Sequence, residues 1–529
     1  MLNIKNLTKQ YGKRKLFDNI NQSLDVGKRY GLIGANGAGK STLVKIMGGE
    51  EDSTSGEIQL QNGLKMGVLG QNQYAYEEFT LKDAVLKGNQ RLFDAIKEKE
   101  ALYEAGDFSD KVNDRLGILE MVCVEEDPMY EAEVRIEKLL ENLGFEASMQ
   151  NDKMSSISNA NKFKILLAQV LFPKPDVLLL DEPTNNLDIE TISWLENELK
   201  NHEGTMLIIS HDRHFLNSVV THILDLDFGT LREFKGTYDD WYIAANVIQK
   251  QNELDRGKKL KEKKELESFV ARFSANASKA KQATSRQKQL DKLDIGAIQV
   301  STRRNPNIVF NKSRDVGKVI LEIENLSKSY DDVKVYDNYD FKVEKDDKIA
   351  IIGSNGVGKT TFLELITKNI SADSGTIKWG ETISHSYFPQ NTTEMITGED
   401  KLYDWVQGFN PKWHIDDIRK ALGRMLFSGE DQDKKVSALS GGEKHRMMIS
   451  KMMMESSNFI IFDEPDNHLD LEAIIALGES LYNYEANVIC VTHDRELIDA
   501  FANRIIEIKN DGTITDFKGS YEEYKEVNE

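Results

Sequence analysis

Two glycine-rich segments carry residue types and spacings suited to polyphosphate chemistry: GANGAGKS at positions 34–41 and GSNGVGKT at 353–360. Each follows a short apolar run (RYGLI, KIAII) and leads into a helical pattern. In that context the GxxxxGK[ST] text is a strong signal. Glycines let backbone N–H groups wrap phosphate oxygens, and the helix N-terminus adds partial positive charge. The predicted phosphate-binding residues are Gly34, Asn36, Gly37, Gly39, Lys40, Ser41 and Thr42 in the first segment. Gly353, Asn355, Gly356, Gly358, Lys359, Thr360 and Thr361 are their counterparts in the second. Both lysines neutralise phosphate. Ser41 and Thr360 offer a hydroxyl to Mg²⁺, which keeps most of its shell as water and phosphate.

Further acids belong to the same chemistry. DVLLLDEP and NFIIFDEP read as buried strands ending in carboxylates. Asp181 and Asp463 are placed to hold magnesium through water, while Glu182 and Glu464 orient and deprotonate an attacking water. With phosphate loops upstream, this reading outweighs a pair of helix caps. Gln71 and Gln390 are candidates for sensing metal and water. His211 and His493 follow later apolar strands, and their equivalent places argue for contact with a terminal phosphate rather than a purely structural role. Tyr11 and Tyr330 each stand 29 residues before the loop lysine. They suit stacking on adenine, worth roughly 1 kcal/mol, with core packing as the alternative. The expected ligands are ATP and Mg²⁺, at two sites.

The elements that must position these residues come as a duplication. Lys40 and Lys359 are 319 positions apart, as are Gln71 and Gln390; Asp181 and Asp463, and likewise His211 and His493, are 282 apart. The first half therefore carries a net 37 extra residues between Gln71 and Asp181. Constant register over such distances marks repeated domains rather than a solenoid. The expected fold is α/β, two tandem P-loop domains over 1–238 and 319–529. A helical arm is expected at about 87–131, where Leu81, Val85, Leu92 and Ile96 keep a stripe before a break at 106–110. Its acids argue against direct phosphate binding, so it is either a surface elaboration or a partner-docking arm.

Residues 239–318 form the expected connector. Within 250–292 there are 13 Lys/Arg against 6 Asp/Glu, a local net of +7 in a chain of net charge −20. A helix over 239–272 would span about 50 Å, the run RFSANASKAKQATSR would turn the chain, and QKQLDKL would resume the helix. Charge concentrated near such a tip suits an RNA-contacting probe better than a solvated hairpin. No apolar run reaches the roughly 20 residues of a spanning helix, the N-terminal text lacks an apolar signal core, and two lone cysteines fit a reducing cytosol. A cytoplasmic location with no membrane partner is expected.

LSGGEKHR at 439–446 opens a helical pattern, with Ser440 lying 23 residues before Asp463. With the motifs above, the chain resembles the ABC ATPase superfamily. That resemblance implies two cassettes sandwiching two ATPs, with Ser440, Gly441 and Gly442 capping the γ-phosphate held at Lys40. The matching position in the first half is Ser158, but Asn159 and Ala160 replace the glycines. The second half reads DEPDNHLD, with Asp466 where the family usually has threonine. Unequal sites are expected, the Lys40 site turning over quickly and the Lys359 site slowly or mainly holding.

Tandem cassettes, the arm and the connector text together resemble the ABC-F proteins, and NNLD fits their YbiT-like branch. For that family the resemblance implies a monomer that binds the ribosomal E site when ATP-closed. The connector reaches toward P-site tRNA and the peptidyl-transferase centre, and the arm toward the L1 stalk or 23S rRNA. Hydrolysis releases the factor. The short connector tip favours a housekeeping role over antibiotic protection. A transporter ATPase subunit and a DNA-repair ATPase are the readings from other classes. The first lacks a use for the connector, and the second needs a far longer insert.

Overall fold

The runs Val177–Asp181 and Phe459–Asp463 are buried at every position, as strands covered on both faces must be. The computed structural model describes residues 2–12, 14–70, 72, 74–106, 109–185, 187–273, 285–290, 305–330, 333–467, 469–509 and 511–528. It places each run second in a six-stranded sheet. In the first cassette the order is Met66–Val68, Val177–Asp181, Thr205–Ile209, Arg29–Ile33, His222–Asp227 and Thr230–Lys235. Neighbours are parallel except the last pair. The second cassette repeats the order with His385–Phe388, Phe459–Asp463, Asn487–Val491, Lys348–Ile352, Arg504–Ile508 and Ile514–Lys518. Parallel order puts the loop after Arg29–Ile33 and the acids after Val177–Asp181 at the same sheet edge. Ligands bind at such an edge.

A three-stranded antiparallel sheet packs against each central sheet. In the first cassette it orders Arg14–Leu24, Leu2–Tyr11 and Ser55–Leu60. Leu2, Ile4, Leu7 and Phe17 from this sheet share a core with Leu43, Val44, Leu179 and Leu207. On the opposite face the helix Asn159–Leu171 buries Ile165, Leu166 and Leu167 beside Leu178 and Leu180.

The 37 extra residues contribute a helix pair, Gln90–Ala105 and Asp110–Glu126. Arg115 grips Glu98 through two bonds of 2.6 and 2.7 Å, and Arg91 meets Glu125 at 2.6 Å and Glu126 at 3.2 Å. These pairings, base of one helix to end of the other, make the pair antiparallel. At the connector, a 36-residue helix, Tyr238–Phe273, leaves the first cassette. It is rooted by Tyr238 and Trp241, both buried, with Trp241 Nε1 donating to Asp225 at 3.3 Å. The expected turn at 272–286 falls mostly outside the described residues. Residues 285–290 are again helical, and the Arg286 guanidinium lies 5.8 Å from the Phe269 ring.

The connector ends earlier than the sequence reading placed it. Ile308 and Phe310 are buried in the second cassette's core, where Phe310 meets Phe462 and Tyr484 edge-on. Residues 305–318 therefore lie on that cassette, drawn by the short apolar text NIVF. No helix among the described residues is long and apolar enough to cross a membrane.

Candidate functional site

Gly34 and Gly353 begin the phosphate loops where no side chain fits. An added Cβ would stand 2.6 Å from the Leu226 carbonyl oxygen and 2.2 Å from that of Ile508. Gly39 and Gly358 take φ of 104° and 108°, a region glycine enters freely, and start the helices Lys40–Met47 and Lys359–Ile366. Both lysine amines fold back into their loops, donating at 2.8 Å to the carbonyls of Gly34 and Gly353. Lys359 also donates to Ser354 at 2.8 Å. Burial pushes its amine down, and Glu464 opposes that.

The aspartates at the strand ends are buried. Burial raises the Asp181 carboxyl, while a hydrogen bond from the Ser41 hydroxyl lowers it. Burial drives Asp463 up to about 7; Glu464 adds to this, and Thr360 and Lys359 oppose it. Although the Thr360 hydroxyl faces it, neither Asp463 oxygen meets a donor at full hydrogen-bond geometry. A buried carboxylate beside a hydroxyl, on an edge made of oxygens, fits a hard divalent cation completed by water and phosphate. Such a cation would hold the carboxylate charged.

Glu182 and Glu464 share an unusual backbone, with φ of 53° and 48°. Left-handed geometry at a glutamate costs on the order of 1 kcal/mol. It is pinned by N–H bonds to the Ile209 and Val491 carbonyls of the next strand, at 2.9 and 2.8 Å. The turn aims both carboxylates along the sheet edge. Glu182 lies 3.3 Å from His211 Nε2 and accepts the His211 backbone N–H at 3.2 Å. Glu464 accepts from Gln390 Nε2 at 2.8 Å and from Asn467 Nδ2 at 2.9 Å. Neither ring nitrogen of His493 has a hydrogen-bond partner, and burial, with Lys359 adding, pushes the ring down to about 3. His493 is neutral at pH 7.

The two cassettes meet so that the loop of the first faces the LSGGEKHR helix of the second. A cavity of about 620 Å³ lies between them, lined by Gly37, Lys40, Ser41, Thr42, Glu182 and His211 on one side and Ser440, Gly442 and Arg446 on the other. This volume is in the range of small-molecule sites. Ser440 caps the helix Gly441–Glu455 through a capping box. Its hydroxyl accepts from Glu443 N at 3.4 Å, and the Glu443 carboxylate accepts from Ser440 N at 2.8 Å. A Cβ added at Gly441 would meet nothing within 4 Å, so its smallness answers to no protein neighbour. Ser158 caps the equivalent helix in the first cassette through Asn161 N at 3.3 Å. Asn161 stands at the Glu443 position, so the reciprocal carboxylate is missing.

Tyr11 and Tyr330 are about half exposed beside their loops, with the Lys9 and Lys328 amines 4.9 and 5.3 Å from the rings. Gln71 lies outside the described residues. The sequence reading singled out neither Arg14 nor Arg446, both of which line the cavity. It gave Asp466 no partner, but Asp466 accepts the Thr492 hydroxyl at 2.6 Å where the first cassette pairs Thr184 with Ser210 at 3.1 Å. Comparing the halves position by position flags all three, because each differs from its counterpart.

A family model described as "ABC transporter" matches residues 17–185 and 336–467, and a companion model with the same description matches 224–310. The uncharacterized ABC transporter ATP-binding protein YkpA of Bacillus subtilis is 45% identical over 99% of this chain and 97% of its own length. The probable ATP-binding protein YbiT of Escherichia coli is 42% identical over 99% of both. The energy-dependent translational throttle protein EttA of Escherichia coli is 32% identical over 97% of this chain and 93% of its own. ABC transporter F family member 2 of Arabidopsis thaliana is 33% identical over 99% and 79%. Among solved structures, the RNase-L inhibitor shares the fold at TM-score 0.62 and 17% identity, over 99% of this chain and 92% of its own. The chain belongs to the ABC-F branch of the ABC ATPases, close to YbiT. It is an ATP-hydrolysing enzyme.

Proposed function

We propose that this ATPase is a translation factor that binds the ribosome when ATP holds its cassettes together, and leaves when hydrolysis lets them part. The observation that carries the reading is the shared cavity, where Lys40 of one cassette and Ser440 of the other face the same space. A ligand filling it favours the joined form in proportion to its contacts with both sides. Cleaving the terminal phosphate removes part of that preference. Similarity to a translational throttle protein supports the ribosome as the target.

At the finer level, the factor occupies the E-site region. Its basic connector reaches toward P-site tRNA and the peptidyl-transferase centre, and the helix pair Gln90–Ala105 and Asp110–Glu126 faces the L1 stalk or 23S rRNA. Exposed lysines on the helix Tyr238–Phe273 suit recognition of RNA backbone and shape rather than base sequence. Within the ATP sites, Lys40 and Lys359 bind phosphate. Ser41, Thr360, Asp181 and Asp463 hold the magnesium, with Gln71 and Gln390 at its edge. Glu182 and Glu464 activate water, and His211 and His493 contact the terminal phosphate. When bound, magnesium neutralises the charge that develops during phosphoryl transfer. Nucleotide-closed cassettes in a cytoplasmic monomer complete the reading.

The test is the double variant Glu182→Gln with Glu464→Gln. It should co-sediment with ribosomes in ATP and stay bound, whereas the parent protein releases. A double variant that stays in the supernatant would remove the ribosomal reading while leaving the ATPase intact.

A further inference from the structure

Arg14 and Arg446 reach one cavity from opposite cassettes. Arg14 begins the strand Arg14–Leu24, and its Nη2 donates at 3.1 Å to the carbonyl of Gly37, on the rim of the first phosphate loop. Its charge is felt by Lys434 of the second cassette, so the guanidinium stands at the seam. Arg446 lies six residues beyond Ser440 on the second cassette's helix. Its guanidinium sits 5.8 Å from the Phe427 ring, and its Nε is buried with no hydrogen-bond partner among the described residues. Both line the cavity with Lys40, and the carboxylates of Glu182, Glu443 and Asp466 face it too.

Among the described residues, the second site has no such pair at the equivalent positions. Register places Val333 opposite Arg14, exposed and uncharged, and Lys164 opposite Arg446. The Lys164 amine is already engaged inside its own cassette, by Asp188 at 3.3 Å and Thr191 at 3.2 Å. A guanidinium is a rigid planar fork that matches phosphate oxygens in pairs. Two of them on opposite walls respond to how much negative charge the ligand carries.

We propose that Arg14 and Arg446 form a cross-cassette polyphosphate clamp that makes the Lys40 site, and not the Lys359 site, discriminate nucleoside triphosphate from diphosphate. The inference rests on the reading of the Lys40 cavity as an ATP site. It adds two binding residues to that site and a second cause of inequality, independent of the Asn159–Ala160 change.

The test uses the full chain carrying Lys359→Ala, so that the first site alone reports. Binding of fluorescent mant-ATP and mant-ADP is measured with Arg14→Ala, Arg446→Ala and Arg446→Lys. Each alanine should cut the preference for mant-ATP over mant-ADP about tenfold, and lysine should restore part of it. An unchanged preference in both alanine variants, with thermal unfolding as in the parent, overturns the clamp. Equal weakening of both nucleotides also overturns it. Adding Lys40→Ala separates the two claims: if mant-ATP binding survives that change, the site reading has failed, whatever the arginines do.

Discussion

Glu182 and Glu464 occupy equivalent strained turns. His211 sits beside Glu182, and Gln390 and Asn467 both donate to one oxygen of Glu464, Oε2. The cap Ser440–Gly442 faces the Lys40 cavity that Glu182 also lines, whereas Ser158 is followed by Asn159 and Ala160. Glu182→Gln should therefore lower steady-state ATPase by about a hundredfold, the scale of general-base catalysis, and Glu464→Gln by much less. Phosphate release from each single variant decides it, and the reverse order would undo the assignment. Asp466 gives a second prediction. Burial drives its carboxyl up to about 7 against the Thr492 hydroxyl, and Glu464 and Asp212 add repulsion. Burial also raises Asp212 and Asp494 beside it. A raised pKa means the joined cassettes hold the proton more tightly than separated ones. The stabilisation is complete below about 4, the ordinary aspartate value, and is lost as pH rises through about 7. ATP-driven closure of the double glutamine variant, followed by energy transfer between dyes on the two cassettes, should weaken from about pH 4 to about pH 7 and level off above. Asp466→Thr should flatten that slope. A slope that survives unchanged would assign the effect to Asp212 and Asp494 alone.

Elements decide how these residues reach their posts, and here sequence was legible to different depths. The phosphate loops, the acids and the paired registers could be read because each is contiguous text with a steric or electrostatic reason for every position. The helix Tyr238–Phe273 was legible for the same reason, being a long run of strong helix formers. The end of the connector was not: Ile308 and Phe310 are only two apolar residues, and what makes them core is the Phe462 and Tyr484 surface that awaits them. Arg14 and Arg446 were invisible as isolated charges, since a surface arginine has no periodic signature. At the connector's root Trp241 is buried against Tyr238, and Leu471 of the second cassette joins the same cluster. Trp241→Ala should cost about 3 to 5 kcal/mol, read as a shift in the denaturant midpoint. Along the exposed helix, replacing Lys258, Lys261 and Lys264 with glutamine should leave stability within about 0.5 kcal/mol. Each lysine that meets an RNA phosphate should reduce the salt slope of ribosome binding by about one. An unchanged slope would return the connector to a solvated hairpin.

At the scale of the whole molecule, two of the contacts between the cassettes bear on closure. One is the cavity, where a phosphate loop and a serine-capped helix face each other with room for a ligand between them. The other needs no ligand. Arg495 reaches across to His214 Nδ1 at 3.2 Å and Glu196 at 3.5 Å, and Arg213 reaches back to Glu496, the counterpart of His214, at 3.3 Å. The reciprocity is what a near-twofold pair requires. The Arg495–Glu196 pair is largely buried and the Arg213–Glu496 pair partly so, and the desolvation that buried pairs cost offsets much of their attraction, so these contacts locate the cassettes without locking them. Closure must then be supplied at the ATP sites, and its loss on hydrolysis becomes a change of shape. Small-angle scattering of the double glutamine variant should show a smaller radius of gyration with ATP than without, and Lys40→Ala should abolish most of the difference. Arg495→Ala should leave the ATP-bound radius unchanged, because ligand contacts at the ATP sites, not the ionic seam, supply closure. Equal radii with and without ATP, turnover being blocked, would leave nucleotide with no mechanical output and the proposed ribosome cycle with no driving step.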